Sequence, residues 1–279
     1  MNDNEWVKIA VSFGLGLLRG ITNILPIDGA AHATLLDILV GQGLWPEGNR
    51  SFSMSAILQL GSWLAILAYF RKDIRTQLQK RSEQPSQTRK QWAGYGLSII
   101  VTLSMGLLLR QFLPGLFEDF QFTVWLLIGN GALLLIASRW ASTHAYGYRS
   151  INQLSWSDLV LIGLVHGLGI LPGLSRIALL LAIGLWLRLS WFEAVRLTLI
   201  LSIPTIILSV IYTMIIQPDN VAADLLYLGI GCVSSGLAAW FTLRWIAHTS
   251  LHSRERLPVY GLYCIAIGVF AWIVVMLPH

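Results

Sequence analysis

The chain has 279 residues, of which 55% are hydrophobic and only 12% are charged, whereas about a quarter of the residues in a soluble domain are charged. This composition excludes a soluble globular domain, a disordered chain, a coiled coil and a disulfide-rich scaffold. The net charge of +5 does not indicate nucleic-acid binding, because seven basic residues fall in one loop, 71–90. Basic loops of membrane proteins are retained in the cytoplasm, so we predict a multi-pass membrane protein without a nucleic-acid partner.

Six uncharged stretches of 17 to 21 residues predict six membrane-spanning helices. They are 54–70, 91–109, 120–138, 197–217, 225–243 and 257–277. A helix of about 19 residues covers about 28 Å, close to the hydrocarbon thickness of a bilayer. Every second connection between these stretches is rich in basic residues, and the loop 71–90 has the most. This alternation predicts that 71–90 is cytoplasmic and that both termini lie outside.

Two further apolar regions, 6–45 and 159–187, are interrupted by prolines and polar residues. The interruptions leave pieces of roughly ten to fifteen residues, about half a bilayer long, so we predict a re-entrant helix pair in each region. Irregular backbone at membrane depth is tolerated where it lines a cavity, and ionisable groups there are candidate functional residues. The polar candidates are Arg19, Asn23, Asp28, His32, His166, Ser175 and Arg176.

The two interrupted regions also resemble each other in sequence. The segment GLLRG at 16–20 leads to ILP at 24–26, and GLVHG at 163–167 leads to ILP at 170–172. The charge pattern places the two regions on opposite faces of the membrane, which predicts an inverted-topology repeat with its site where the broken helices meet. The predicted fold is therefore an all-α polytopic membrane protein: a single domain, 1–279, with six transmembrane helices, two re-entrant helix pairs, and repeat halves of about 6–110 and 120–277.

Arg176 and Ser175 are the first candidates for binding phosphate. A guanidinium at the start of a helix can form two hydrogen bonds to phosphate, and the helix N-terminus adds partial positive charge. Arg19, in the other interrupted region, offers a second cation. Two arginines in a low-dielectric cavity need an anion, which is either a phosphate ligand or Asp28 in an internal ion pair.

Asp28 and His32 are the candidate catalytic residues if the protein is an enzyme. They are separated by one turn of a helix, so the carboxylate could orient the imidazole for acid–base or nucleophilic work on phosphorus. A buried polar pair that stabilises the turn fits the spacing equally well. Asn23 and His166 are expected to line the cavity. No metal site is predicted, because the sequence has no Cys/His cluster and one carboxylate at membrane depth is too few for Mg²⁺ or Ca²⁺.

Segments 20–32 and 171–178 resemble the two signatures of bacterial undecaprenyl-diphosphate phosphatases, E-G-x-T-E-F-L-P-[IV]-S-S-T-G-H and P-G-x-S-R-S-G-A-T. Segments at 59–72 and 193–204 are similar to the spans that follow these signatures. The resemblance implies the same fold of six spans and two re-entrant pairs. It preserves Pro26, His32, Pro172, Gly173, Ser175 and Arg176. The two glutamates that the family uses in catalysis fall on Arg19 and Asn23, and its serine pair falls on Asp28 and Gly29.

Three functions are compatible with this pattern. The first is a relative that binds a polyprenyl phosphate or diphosphate with weak or no hydrolysis and has a role in transporting the lipid carrier. The second is an active undecaprenyl-diphosphate phosphatase that recycles the carrier for cell-wall synthesis, for which a divalent cation would be needed. The third is a pseudoenzyme that serves as a structural subunit of a membrane complex. The expected partners are a membrane lipid and either a second copy or another membrane protein, in the bacterial inner membrane or an internal membrane derived from it.

Overall fold

A computed structural model of the chain describes residues 3–40, 48–72, 75, 85–143, 149–216, 225–249 and 254–276, and the regular structure in these ranges is helical. In chain order the α-helices are α1 (Asp3–Thr22), α2 (Gly29–Val40), α3 (Gly48–Tyr69), α4 (Pro85–Phe112), α5 (Phe120–Thr143), α6 (Trp156–Leu168), α7 (Arg176–Trp186), α8 (Trp191–Ile216), α9 (Leu225–Thr249) and α10 (Leu257–Met276). Short 3₁₀ turns occur at Pro114–Phe117, Ile151–Gln153 and Arg254–Arg256.

Five of the six predicted spans coincide with helices that are long and apolar enough to cross a bilayer. These helices are Gln91–Phe112, Phe120–Ser142, Trp191–Tyr212, Leu225–Trp245 and Leu257–Met276. The remaining predicted span, 54–70, lies in α3, where Ser55–Tyr69 forms a shorter apolar helix. Most of the predicted cytoplasmic loop 71–90 lies outside the described residues, and its last residues belong to α4.

Both interrupted regions are broken into two helices, as their sequences predict. The first breaks between α1 and α2, at 23–28, and the second between α6 and α7, at 169–175. Three of the four helices have 11 to 13 residues, but α1 has 20, longer than the predicted pieces. Charged residues near the start of α1 lower its hydropathy without removing a backbone hydrogen bond. Pro26, in contrast, lacks the N–H that a helix interior uses, which favours a break at this point.

By its contacts the chain divides into two compact units, and α1, α3 and α9 form the centre of the first. This unit contains Met1–Leu25, Gly29–Phe70 and Thr205–His252, and α9 packs along both α1 and α3. Glycines on α1 allow the close approach that small residues give membrane helices. A Cβ at Gly16 would lie 3.0 Å from the Cα of Gly231, and one at Gly20 would lie 2.9 Å from the backbone nitrogen of Ala239.

The second unit contains Pro26–Asp28, Arg71–Pro204 and Ser253–His279. In it α10 packs along α5, α4 packs along α6, and α7 contacts both α5 and α6. Glycines again lie at a close helix contact, since a Cβ at Gly163 on α6 would lie 2.7 Å from the carbonyl oxygen of Ser98 on α4. The core beside α7 is built from fully buried leucines and isoleucines, among them Leu134, Ile162, Leu180 and Leu197.

Candidate functional site

The first break holds two of the predicted site residues against hydroxyl groups of α3. Arg19, in the last turn of α1, is only 3% exposed, and its Nη2 donates a hydrogen bond to Ser55 Oγ at 2.6 Å. Asn23 Nδ2 donates to Ser62 Oγ at 3.0 Å, and Ser62 Oγ is itself 2.6 Å from Ser235 Oγ on α9. Positions 19 and 23 are therefore built into a polar network of the first unit.

The second break is a tight turn that ends in a capped helix. Gly173 has φ +95°, a left-handed conformation that L-residues with a side chain rarely adopt. Its backbone is also pressed against α5, because a Cβ at this position would lie 2.8 Å from the Cβ of Leu126 and 3.0 Å from the nitrogen of Leu127. Ser175 is the N-cap of α7, and its Oγ accepts a hydrogen bond from the backbone N–H of Ala178 at 3.4 Å.

Within the second unit, Asp28 and Asn130 join residues 26–28 to the second break. Asp28 Oδ2 accepts a hydrogen bond from the backbone N–H of Gly173 at 3.0 Å. Asn130, on α5, accepts from the backbone N–H of Ser175 at 3.0 Å through Oδ1 and donates to the carbonyl oxygen of Pro26 at 3.3 Å through Nδ2. Predicted residues Asp28 and Ser175 are thus brought to one place in the fold.

Arg176 is the first residue of α7 and is partly buried. Its side chain begins over Gly169, where a Cβ would lie 3.1 Å from the Cα of Arg176 and in contact with its Cγ. The N-terminus of a helix carries partial positive charge, so the guanidinium and α7 contribute positive potential from the same point in the chain. This is the arrangement expected of an anion-binding residue. The prediction that Arg19 binds the same phosphate stays a prediction.

His166, predicted to line a cavity, has no exposed surface and bonds to α4. The single hydroxyl proton of Thr102 is directed to backbone carbonyl oxygens, at 2.8 Å for Ser98 and 3.1 Å for Gly163. With that proton on a carbonyl oxygen, Thr102 Oγ1 is left as the acceptor for His166 Nδ1, 3.3 Å away, and on this basis we assign the proton of the neutral imidazole to Nδ1. His166 Nε2 is buried and has no hydrogen-bond partner among the described residues.

The predicted catalytic pair lies at the start of α2. Asp28 directly precedes the helix, and His32 is in its first turn; both are partly buried. Because α2 begins at Gly29, His32 is within this helix and Asp28 is not. Their roles in catalysis stay predictions.

No group of three or more His, Cys, Asp or Glu side chains that could hold a metal ion occurs in the part of the chain that the structure describes. Asp28 brings a carboxylate to the second break, and one of its oxygens accepts a hydrogen bond from the backbone N–H of Gly173. A cage built from protein ligands alone needs several oxygen donors. These residues do not fit a resident divalent cation, and we derive no step through one.

Asn130 is the site residue that sequence reasoning missed. It lies inside the uncharged stretch 120–138 and is completely buried. A lone amide in the middle of a spanning helix is itself a signal, because a polar side chain at membrane depth needs hydrogen-bond partners. The sequence does not show that these partners are the backbone carbonyl of Pro26 and the backbone N–H of Ser175.

The similarity to known proteins extends over nearly the whole chain. Residues 12–270 match the family described as Bacitracin resistance protein BacA. The chain is 32% identical over 261 residues to "Undecaprenyl-diphosphatase 2" of Stutzerimonas stutzeri, which covers 91% of this chain and 93% of that protein. It is 29% identical over 271 residues to "Undecaprenyl-diphosphatase" of Chlorobium phaeobacteroides, with the same coverage of 91% and 93%. A third relative, "Undecaprenyl-diphosphatase" of Gluconacetobacter diazotrophicus, is 25% identical and covers 98% of this chain and 99% of its own. With its long apolar helices and this match, the chain is an integral multi-pass membrane protein and belongs to the BacA family of undecaprenyl-diphosphatases.

Proposed function

We propose that this protein binds a polyprenyl diphosphate or polyprenyl phosphate in the bacterial inner membrane, or in an internal membrane derived from it, and hydrolyses the lipid weakly or not at all. The class of ligand comes from the family, since its relatives are named undecaprenyl-diphosphatases. The proposal that the head group is bound rests on the position of Arg176 at the N-terminus of α7. Transport of the lipid carrier is part of the same proposal.

Binding is supported by the way the second break is held. The N-cap Ser175 and the turn at Gly173 fix the backbone that leads into α7. Arg176 follows directly, so the guanidinium is attached to backbone that is already fixed in place. A planar guanidinium can donate two parallel hydrogen bonds to phosphate oxygens, and the polyprenyl tail of such a ligand would remain in the bilayer.

Weak hydrolysis is supported by the residues at positions 19 and 23. The resemblance to the family places catalytic glutamates there, but this chain has a buried Arg19 bonded to Ser55 and an Asn23 bonded to Ser62. Neither side chain can accept a proton from water at neutral pH. General acid–base assistance typically contributes about 10²–10⁴ in rate, so the loss of both acids predicts a large reduction.

An active phosphatase is the second candidate, and the names of the relatives favour it. Relatives at 25–32% identity that cover more than nine-tenths of the chain are named undecaprenyl-diphosphatases. In this case Asp28 and His32 would replace the missing acids. Water would add to the terminal phosphorus, the bond to the bridging oxygen would break, and inorganic phosphate and the lipid monophosphate would leave.

One experiment separates the two candidates. Purified protein in lipid nanodiscs is assayed for binding of undecaprenyl diphosphate and for release of inorganic phosphate. Our proposal expects binding with little phosphate release, and restoration of the acids in an Arg19→Glu/Asn23→Glu variant should increase release. Rapid release by the native protein that is lost in Asp28→Asn and His32→Ala would establish the active phosphatase instead.

The same assay tests the role of Arg176. Removing one partner of a buried charge pair typically costs about 2–5 kcal/mol, so Arg176→Ala should weaken lipid binding by that amount. Arg176→Lys should restore only part of it, because an ammonium group cannot form the paired hydrogen bonds of a guanidinium. Arg110→Ala, in the last turn of α4, is the matched loss of a positive charge outside both breaks and should bind normally. Equal binding by all three variants would refute the anion site.

We also propose the finer architecture, with six spanning helices and two re-entrant pairs in an inverted repeat. Its support is that α1 meets α9 as α6 meets α4. Gly16 and Gly20 of α1 lie against Gly231, Ser234, Ser235 and Ala238, whereas Gly163 and Gly167 of α6 lie against Ser98, Val101, Thr102 and Met105. Ala239 also lies against Gly20, and the other four residues on α9 are spaced at the same intervals as the four residues on α4. An internal duplication explains this correspondence, and the alternation of basic loops gives the two copies opposite orientation.

A further inference from the structure

We infer that Asn130 is a positioning residue for the head-group site: with a single amide it fixes the backbone from which Arg176 projects. The inference rests on the proposed binding of a polyprenyl diphosphate at the second break. It concerns a residue on α5 that belongs to neither signature segment of the chain.

The amide of Asn130 can be oriented in only one way. Its Oδ1 must face the backbone N–H of Ser175, 3.0 Å away, because only oxygen can accept that proton. Its Nδ2 must face the carbonyl oxygen of Pro26, 3.3 Å away, because only nitrogen can donate. Nδ2 also lies 3.5 Å from Cys264 Sγ on α10. The residue is completely buried, so water does not compete for these bonds.

These bonds act on the residue that precedes Arg176. The backbone N–H of Ser175 is tied to α5 through Asn130, and the side chain of Ser175 caps its own helix through Ala178. The hydrogen bond from the backbone N–H of Gly173 to Asp28 also joins the second break to residues 26–28. The start of α7 is therefore fixed before a ligand arrives, and a preorganised group loses less conformational entropy on binding.

Other side chains of similar size cannot make both bonds. Leucine has neither donor nor acceptor, and an ionised aspartate accepts from Ser175 but presents a second acceptor to the carbonyl oxygen of Pro26. Asparagine is suited to this place because Ser175 offers a donor and Pro26 an acceptor, each at a helix break where the backbone lacks its usual helical partner.

A purely structural role predicts a different result from a positioning role. An amide that only satisfies two backbone groups would change the stability of the protein and would lower lipid binding equally whether or not Arg176 is present. An amide that positions Arg176 loses its effect on binding once Arg176 is removed. The double-mutant cycle measures this difference directly.

The experiment uses the full chain in nanodiscs with undecaprenyl diphosphate as the probe. Asn130→Leu should weaken binding about tenfold, the effect of losing one or two buried hydrogen bonds, and Asn130→Leu/Arg176→Ala should bind no more weakly than Arg176→Ala alone. Asn130→Asp, which keeps the acceptor for Ser175, serves if the leucine variant does not fold and should weaken binding less. Thr198→Val removes a buried hydroxyl that donates to Ala194 within α8 and should leave binding unchanged.

Two results would overturn the inference while leaving the proposed function intact. One is native affinity in both Asn130 variants, and the other is a loss that multiplies with that of Arg176→Ala. Failure of the native protein to bind the lipid would refute the proposed function, and this inference with it. Unfolding midpoints measured on the same samples identify any loss of binding that comes only from unfolded protein.

Discussion

Replacing Gly173 by alanine tests how the second break is built. At φ +95° an L-residue with a side chain is strained, at a cost of about 1–2 kcal/mol. The added methyl group would also meet the carbonyl oxygen of Thr123, and it would lie 2.8 Å from the Cβ of Leu126. Forcing atoms into a packed interior typically costs about 1–3 kcal/mol. The two effects together predict a destabilisation of about 2–5 kcal/mol.

A second effect of the same substitution reaches Asp28. The backbone N–H of Gly173 donates to Asp28, so a shift of the turn away from α5 is expected to disturb this hydrogen bond. Because Arg176 is only three residues further along, the shift should also weaken binding of the lipid head group. Gly173→Ala is therefore expected to lower both the stability of the protein and its affinity for undecaprenyl diphosphate.

Gly129→Ala is the matched control. Gly129 lies within α5, and a Cβ there would have no heavy atom within 4 Å. Alanine in a helix is favoured over glycine by about 0.5–1 kcal/mol, so this variant should be as stable as the native protein or slightly more stable. Unfolding in detergent can be followed by the fluorescence of the 12 tryptophans. Equal stability of the two alanine variants would refute the strain and the contact with α5.

Two further predictions concern the buried histidine and the topology. Thr102→Val removes the acceptor for His166 Nδ1 and leaves a buried N–H unpaired, so it should destabilise the protein by about 1–3 kcal/mol. The loss should be much smaller in a His166→Leu background, and an equal loss there would contradict the assigned hydrogen bond. In a background without native cysteines, a membrane-impermeant thiol reagent applied from outside should label Glu118→Cys and spare Arg81→Cys. The reverse labelling would overturn the predicted orientation, and with it the inverted repeat.

Five of the six predicted spans and the two breaks could be predicted because they depend on local properties of the chain. Hydropathy over about 20 residues identifies a spanning helix. Pro26 and Pro172 lie in the two breaks, where polar residues accompany a proline that lacks the N–H of a helix interior, whereas Pro204 lies inside α8. The length of α1 could not be read in the same way. Hydropathy falls where charged residues occur, but a charged side chain removes no backbone hydrogen bond, so the helix can continue through such residues.

The contacts of the site were less predictable than its residues. The sequence identified Asp28, Ser175 and Arg176 as polar groups in an apolar region, which is a strong signal because burying such groups is costly. That Asp28 would bond to the backbone of Gly173 depends on the packing of segments far apart in the chain. The role of Asn130 depends on packing as well, and the hydropathy pattern shows only that its neutral amide lies in a predicted span.

Arg19 and Asn23, which stand where the resemblance places glutamates, are both compatible with the side chains around them in the first unit. Ser55 and Ser62 carry hydroxyl groups, and a hydroxyl can accept from Arg19 or Asn23 as readily as it could donate to a carboxylate. These hydroxyl groups can therefore hold either kind of side chain. Hydrolysis is more demanding, because a proton acceptor must be present and not merely tolerated. A chain without the two glutamates that the resemblance places at these positions can still carry the arginine with which we propose it binds the lipid.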